Sequence, residues 1–308
     1  MRTFAHIVNP VAVDESSDLF AAQPITFETM RIARNFAHGE VGVDLFATSY
    51  SEDREIIPDS FQTTAELDRS VLDFGSFQQA RKLPLIKDIL DRLFLESEAE
   101  YLIYTNADIA LKPHFYLTVD KIASFGYDAF LINRRTISAE FKSKDQVPIM
   151  YAQLGIPHPG TDCFIFKREI YPNLELGTAC IGARYFAVSF VANLICNANR
   201  FGRFTDLDLT FHLGDDRAWL SSEFSDFAEH NRTQFAHNLA KLKATRPLPD
   251  DPYLKLIIDR NLIESNSTIR RCMGATFRRA NRIYQRLRML RKANHRNSTY
   301  FSLSKDKK

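Results

Sequence analysis

Hydrophobic positions along the chain fall into short continuous runs separated by stretches at helical spacing. Phe4 to Val8, Val43 to Ala47, Tyr101 to Tyr104, Ala129 to Asn133 and Cys163 to Phe166 are apolar, β-prone runs that read as buried strands. Pro24 to Ala37 carries Ile25, Met30, Ile32, Ala33 and Phe36 close to helical spacing. Leu83 to Leu95 sets Leu83, Ile86, Leu90, Leu93 and Phe94 on one face and Lys87, Asp88, Asp91 and Arg92 opposite, with Pro84 suited to a first turn. Pro113 to Ala123 and Gly182 to Asn197 read as further helices. Alternating strands and helices predict an α/β domain with a largely parallel sheet. Two stretches read differently. Glu140 to Ile156 is polar and weakly patterned, which predicts a flexible loop. Phe204 to Leu213 reads as a last strand whose alternation puts Asp206, Asp208, Thr210 and His212 on one side.

Polar residues gather where these strands end. Tyr101 to Tyr104 runs out into Asn106-Ala107-Asp108, ahead of a helix opened by Pro113. Ligands of open α/β sheets bind beyond the carboxyl ends of strands. A carboxylate there is a hard oxygen ligand of the kind Mg²⁺ or Mn²⁺ uses beside a phosphate; Asn and Asp also serve as plain turn formers. Thr48 and Ser49 follow the second strand. Arg81 and Lys82 precede the Leu83 helix, where cations are disfavoured unless an anion is near, so they read as an anion contact or as a solvated pair. Asp162 opens the Cys163 strand, either capping a turn or facing a ligand. His212 lies in phase with the polar face of its strand, directly before Gly214-Asp215-Asp216-Arg217.

Composition narrows the picture only a little. The 308 residues suffice for one large domain plus an appended piece, and 45% hydrophobic with 25% charged residues is ordinary for a globular chain. Net charge is +2, but its distribution is uneven: Ile269 to Arg296 carries nine Arg, one Lys and no acid, with Met273, Phe277, Ile283 or Tyr284, Leu287 and Leu290 at helical spacing. A basic amphipathic helix there fits an anionic membrane surface, a lipid-linked acceptor or an acidic partner, or else docks on the body of the protein. Nucleic acid is disfavoured, because the charge is confined to this tail and no recognition motif accompanies it. Cys163, Cys180, Cys196 and Cys272 are widely spaced, which fits a reducing compartment. Phe4 to Val8 is too short for a signal-peptide core, and Tyr185 to Ile195 is broken by Ser189 and Asn193, so the expected location is cytoplasmic, at most peripheral to a membrane.

An apolar strand, a short Asn/Asp-x-Asp element and a Pro-led helix together resemble the metal-site region of glycosyltransferases with the GT-A fold, and the order of elements is similar over roughly residues 1 to 220. The family element is usually Asp-x-Asp; Asn106 replaces its first acid, and the family's metal role falls on its last, here Asp108. The resemblance implies an α/β, GT-A-like (Rossmann-like) open twisted sheet, mostly parallel and flanked by helices, with a C-terminal helical extension. Residues 1–245 would be the transferase domain and 246–308 a linker with the basic tail. Implied too is transfer of a sugar from a UDP- or GDP-sugar to a glycan or lipid-linked acceptor, with Mn²⁺ or Mg²⁺ held by Asp108 and His212. On that reading Thr48, Ser49, Arg81, Lys82, Asn106, Asp108 and Arg217 face the donor, and Asp162, Asp215 and Asp216 are candidates for the acceptor side and the base. Inverting members carry a Glu-Asp pair where this chain has Thr178 to Arg184 with no acid, which leaves the stereochemistry open. A sugar nucleotidyltransferase would carry a Gly-rich loop where Asn9-Pro10-Val11-Ala12-Val13 stands. A metal-dependent phosphohydrolase and a non-catalytic nucleotide- or glycan-binding module use the same residues and stay as alternatives.

Overall fold

A computed structural model describes residues 1–215 and 221–262. The chain divides into two compact units, Met1–Leu254 and Lys255–Lys308. Asp216, Arg217, Cys272 and the basic run from Ile269 to Arg296 lie outside the described residues.

The expected open, mostly parallel sheet is present. Strands β1 (Thr3–Val8), β2 (Gly42–Ala47), β3 (Gln62–Thr63) and β4 (Tyr101–Thr105) run parallel, and β6 (Ala129–Ile132) and β10 (Phe201–Phe204) run the same way; β9 (Cys163–Lys167) runs against them between β4 and β6. The order is β10-β6-β9-β4-β1-β2-β3. Period-two alternation divides these strands between two faces. Phe4, Val8, Tyr101, Ile103, Phe130, Ile132 and Ile165 pack with α1 (Asp18–Phe36) and α3 (Phe115–Ser124). On the opposite face Phe164 and Phe166 meet Phe190 of α5 (Phe186–Asn197), at ring separations of 4.6 and 5.7 Å. Central strands buried on both sides explain why they read as unbroken apolar runs.

Beyond the carboxyl edge of this sheet stands a four-stranded one, ordered β5-β11-β7-β8, from β5 (Ala110–Leu111), β7 (Arg135–Ile137), β8 (Ile156–Pro157) and β11 (Thr210–Leu213). It has its own small core: Ile25, Ala110, Ile137, Phe141, Val147, Met150 and Phe211. The stretch from Glu140 to Ile156, expected as a loose loop, is therefore an ordered cover containing α4 (Val147–Ala152), whose Val147 and Met150 point inward. Two apolar residues one turn apart were too few to read as a helix against a polar background. The expected strand from Phe204 to Leu213 is also corrected. It is two strands, β10 and β11, in different sheets, joined by a turn in which Asp208 has φ of 49°. Helix α1 starts at Asp18 and not at Pro24, capped by Ser17, whose hydroxyl accepts from the Leu19 N–H at 3.3 Å. Helix α2 (Ile86–Glu96) buries Asp88, placed on the solvent face by periodicity, because Arg69 holds it with two hydrogen bonds of 2.7 and 2.8 Å. Helix α6 (Ser225–Thr245) is stitched to the body by buried Asn231, whose amide bonds both backbone groups of Cys180. Helix α7 (Pro252–Leu262) ends the described chain.

Candidate functional site

Because β9 runs backwards, the exits of β4 and β6 and the entry of β9 lie side by side, with Thr105 and Ile132 both opposite Cys163. Asn106, Asn133 and Asp162 follow or precede these residues directly, so three polar side chains converge on one edge. The small sheet brings the rest. β5 pairs with β11 so that Ala110 faces Phe211, which carries His212 to the level of Asp108. β7 pairs with β11 so that Arg135 also faces Phe211, and Arg134 precedes it.

Asp108 and His212 are in direct contact, with Nε2 3.0 Å from Oδ2. The other imidazole nitrogen donates to the Gly214 carbonyl at 2.9 Å. Gly214 has φ of 70°, a conformation open to glycine, and this turns its carbonyl back toward the ring. With Nδ1 committed as a donor, Nε2 is fixed as the nitrogen that faces Asp108. Burial pushes the Asp108 carboxyl up, but the hydrogen bond and charge of His212, with Arg134 behind them, outweigh it and hold the group below its ordinary range. For His212, burial pulls the imidazole down and the Asp108 hydrogen bond and charge more than reverse it. Both shifts run in the direction that favours a charged pair.

Four polar atoms at this edge are buried with no hydrogen-bond partner: Asp108 Oδ1, Asp162 Oδ2, Asn133 Oδ1 and Arg134 Nε. Each belongs to a side chain otherwise held in place. Asp162 Oδ1 lies 3.3 Å from Arg134 Nη1, with the Arg134 side chain buried and that of Asp162 only 13% exposed. Burial raises the Asp162 carboxyl, opposed by Arg134 and reinforced by Asp108. Asn133 donates to the carbonyls of His158 and Gly160, which fixes the loop leading to Asp162. Buried orphan oxygens are costly in a finished core and expected where a ligand supplies the partner.

The other candidates are placed as follows. Asn106 accepts from the Tyr104 hydroxyl at 3.0 Å. Asp215 lies 3.5 Å from His158 Nε2. Thr48 and Ser49 are buried at the end of β2, with their hydroxyls donated to the carbonyls of Ala65 and Tyr50. Arg81 pairs with Glu223 and Lys82 with Glu52, each at 2.7 Å on the surface. These four are not brought into contact with Asp108 or His212. Arg134 and Asn133 were missed as site residues in the sequence; the available signal was a run of polar and cationic side chains directly after a buried strand.

The residues present fit a divalent ion. Two adjacent ligands of an octahedral ion at about 2.0–2.1 Å stand roughly 3 Å apart, as Nε2 and Oδ2 do here. Asp108 Oδ1 is a further unused oxygen. No cluster of three or more His, Cys, Asp or Glu side chains suited to a metal occurs among the described residues. The remaining ligands would be phosphate oxygens and water, as is usual for Mg²⁺.

No protein-family model and no curated protein matches the chain. Solved structures similar to it include S. aureus TarS 1–349 in complex with UDP-GlcNAc, at 12% identity and a TM-score of 0.40, covering 85% of this chain and 80% of that one. Glucosyl-3-phosphoglycerate synthase from Mycobacterium tuberculosis, in complex with phosphoglyceric acid, is similar at 12% identity and a TM-score of 0.41, covering 81% of this chain and 82% of that one. A197 from STIV is similar at 12% identity and a TM-score of 0.34, covering 70% and 88%.

Proposed function

We propose that the protein is a metal-dependent glycosyltransferase that moves a sugar from a nucleoside diphosphate sugar to a hydroxyl of a glycan or lipid-linked acceptor. The observation that carries this reading is the Asp108–His212 pair at the carboxyl edge of the sheet, with a carboxylate oxygen left over. When bound there, a divalent ion supplies Lewis-acid charge to a leaving diphosphate.

The protein's own groups have distinct parts in this reading. His212, its Nδ1 bonded to the Gly214 carbonyl, keeps Nε2 on the Asp108 side and would hold the ion there through that nitrogen in its deprotonated form. With Asp108 Oδ1 reserved for the ion, the remaining orphan atoms are two acceptors, Asp162 Oδ2 and Asn133 Oδ1, and one donor, Arg134 Nε, a set that calls for a ligand able both to donate and to accept. Sugar hydroxyls meet that need and phosphate oxygens do not. Asp162 Oδ2 is the best-placed base, because Oδ1 is tied to Arg134 and the second oxygen is free to take the acceptor proton. Base catalysis there is worth on the order of 10²- to 10⁴-fold. Asp215 would act through His158, and Asn106 would meet a ribose or sugar hydroxyl. Arg81 and Lys82 would reach a diphosphate only by releasing Glu223 and Glu52, a cheap exchange since exposed ion pairs contribute little.

The test is a thermal-shift panel of nucleoside diphosphates and nucleotide sugars, with and without Mn²⁺, on wild type and Asp108→Ala. The expected outcome is stabilisation by one nucleotide that requires Mn²⁺ and disappears in the variant. Stabilisation that is indifferent to both Mn²⁺ and Asp108 sinks the reading. Turnover of a nucleotide sugar with water alone, at a rate no acceptor alters, would favour the phosphohydrolase.

A further inference from the structure

The α4–β8 segment, packed on the Phe211 face of the small sheet, displays an apolar surface that the fold does not use. Ile149, Leu154 and Ile156 are 61%, 66% and 73% exposed, and Pro148, Pro157 and Pro159 beside them are exposed too. From Gln146 to Thr161 the chain carries no Asp, Glu, Lys or Arg.

This exposure is not looseness. Val147 and Met150 anchor α4 from within. Buried Lys112 donates to the carbonyls of Tyr151 at 3.0 Å and Gln153 at 3.4 Å, and Arg135 donates to those of Leu154 and Gly155. Gly155, at φ of 63°, lies so close to β7 that a Cβ would stand 2.5 Å from the Thr136 carbonyl oxygen. Two cations and a close backbone approach hold the inner side while the aliphatic side chains face out.

A protein partner fits this surface poorly. β8 is a two-residue edge strand, and Pro157 has no N–H to offer an added strand. The apolar side chains present on the order of a few hundred Å², short of the roughly 800 Å² per partner of a stable protein contact. Shallow insertion into lipid needs no matching hydrogen bonds and no broad face; a few aliphatic side chains on a rigid, charge-free ridge suffice.

We propose that the α4–β8 segment is a lipid-contact surface, seating Ile149, Leu154 and Ile156 in the headgroup and acyl boundary of a bilayer. The proposal stands independently of the transfer reading. Its geometric consequence is that the loop from His158 to Asp162, continuous with β8, lies at the membrane face.

The test is flotation of the full chain with neutral phosphatidylcholine vesicles in high salt, which suppresses any electrostatic attraction by the basic run. Wild type should float. Ile149→Ser, Leu154→Ser and Ile156→Ser should each lower partitioning about tenfold, and the triple variant more than about a hundredfold, with an unchanged melting temperature. Failure of wild type to bind neutral vesicles overturns the proposal, including the case in which it floats only on anionic vesicles at low salt. A triple variant that floats like wild type overturns it as well. Should the triple variant misfold, Ile156→Trp read by quenching with brominated phosphatidylcholine decides: quenching supports the contact, and its absence removes it.

Discussion

Two buried histidines, His6 and His212, are shifted in opposite directions within one domain. His6 lies on the α1/α3 face of β1, with Nδ1 2.9 Å from the Tyr116 hydroxyl and Nε2 2.9 Å from the Thr105 hydroxyl. Both partners are neutral, nothing offsets desolvation, and burial pulls the imidazole down to about 3. His212 is buried too, but its partner is a carboxylate, and its value moves up. The difference separates scaffold from site. Around His6 both ring nitrogens have neutral partners, whereas around His212 a charge is held and oxygens are left over.

The largest expected effect tests the neutral side of this contrast. With 6.5 as its ordinary value and about 3 in the fold, His6 is held neutral. Its share of stability is intact above pH 6.5 and is lost as pH falls toward 3, at about 1.4 kcal/mol per pH unit, on the order of 5 kcal/mol in all. Urea denaturation from pH 7.5 downward should show that slope, and His6→Gln should flatten it; equal slopes in the two proteins would break the contrast. Next in size, Arg134→Met strands the buried Asp162 carboxylate and should cost about 3–5 kcal/mol at pH 7. Because the raised Asp162 then gains a proton more readily in the folded state, that loss should shrink as pH falls, and adding Asp162→Asn should recover most of it. A smaller effect, about 1.5–3 kcal/mol, is expected for His212→Gln. The raised His212 contributes fully below pH 6.5 and loses its share as pH rises through the folded value. The depressed Asp108 loses its share as pH falls through its own. The stability gap between wild type and His212→Gln should therefore be widest in mild acid and close on both sides. Thr105→Val, leaving His6 Nε2 without a partner, should cost only about 1–2 kcal/mol. It should leave the Mn²⁺-dependent nucleotide shift intact, although Thr105 is three residues from Asp108; loss of that shift would merge scaffold and site.

How far the sequence made this legible follows from the range of each interaction. The β4 strand was readable because all five of its residues are buried, and Asp108 because it comes within three residues of that strand's end. The pairing of Asp108 with His212 spans 104 positions and depends on how β5 meets β11, which no local pattern records. Strand phase put Asp206 and Asp208 beside His212, but the turn at Asp208 breaks the phase and Arg135 takes Asp206 at 2.8 Å. Arg134 went unread for a similar reason: its partner Asp162 lies beyond the whole cover segment, and the adjacent Arg135 serves a different acid.

The backward run of β9 has a consequence for how such a protein can change. Chain leaves the main sheet after Ile132 and re-enters at Cys163 on the same edge, in directly paired positions. Everything between is a detour that begins and ends about 5 Å apart, one strand spacing. Such a detour can be lengthened, shortened or exchanged without shifting the register of any central strand. Asp108 lies outside it, while Arg134, the cover and Asp162 lie inside. Inheritance could thus alter the α4–β8 side and its contacts as one cassette, leaving β4 and the acid that follows it untouched.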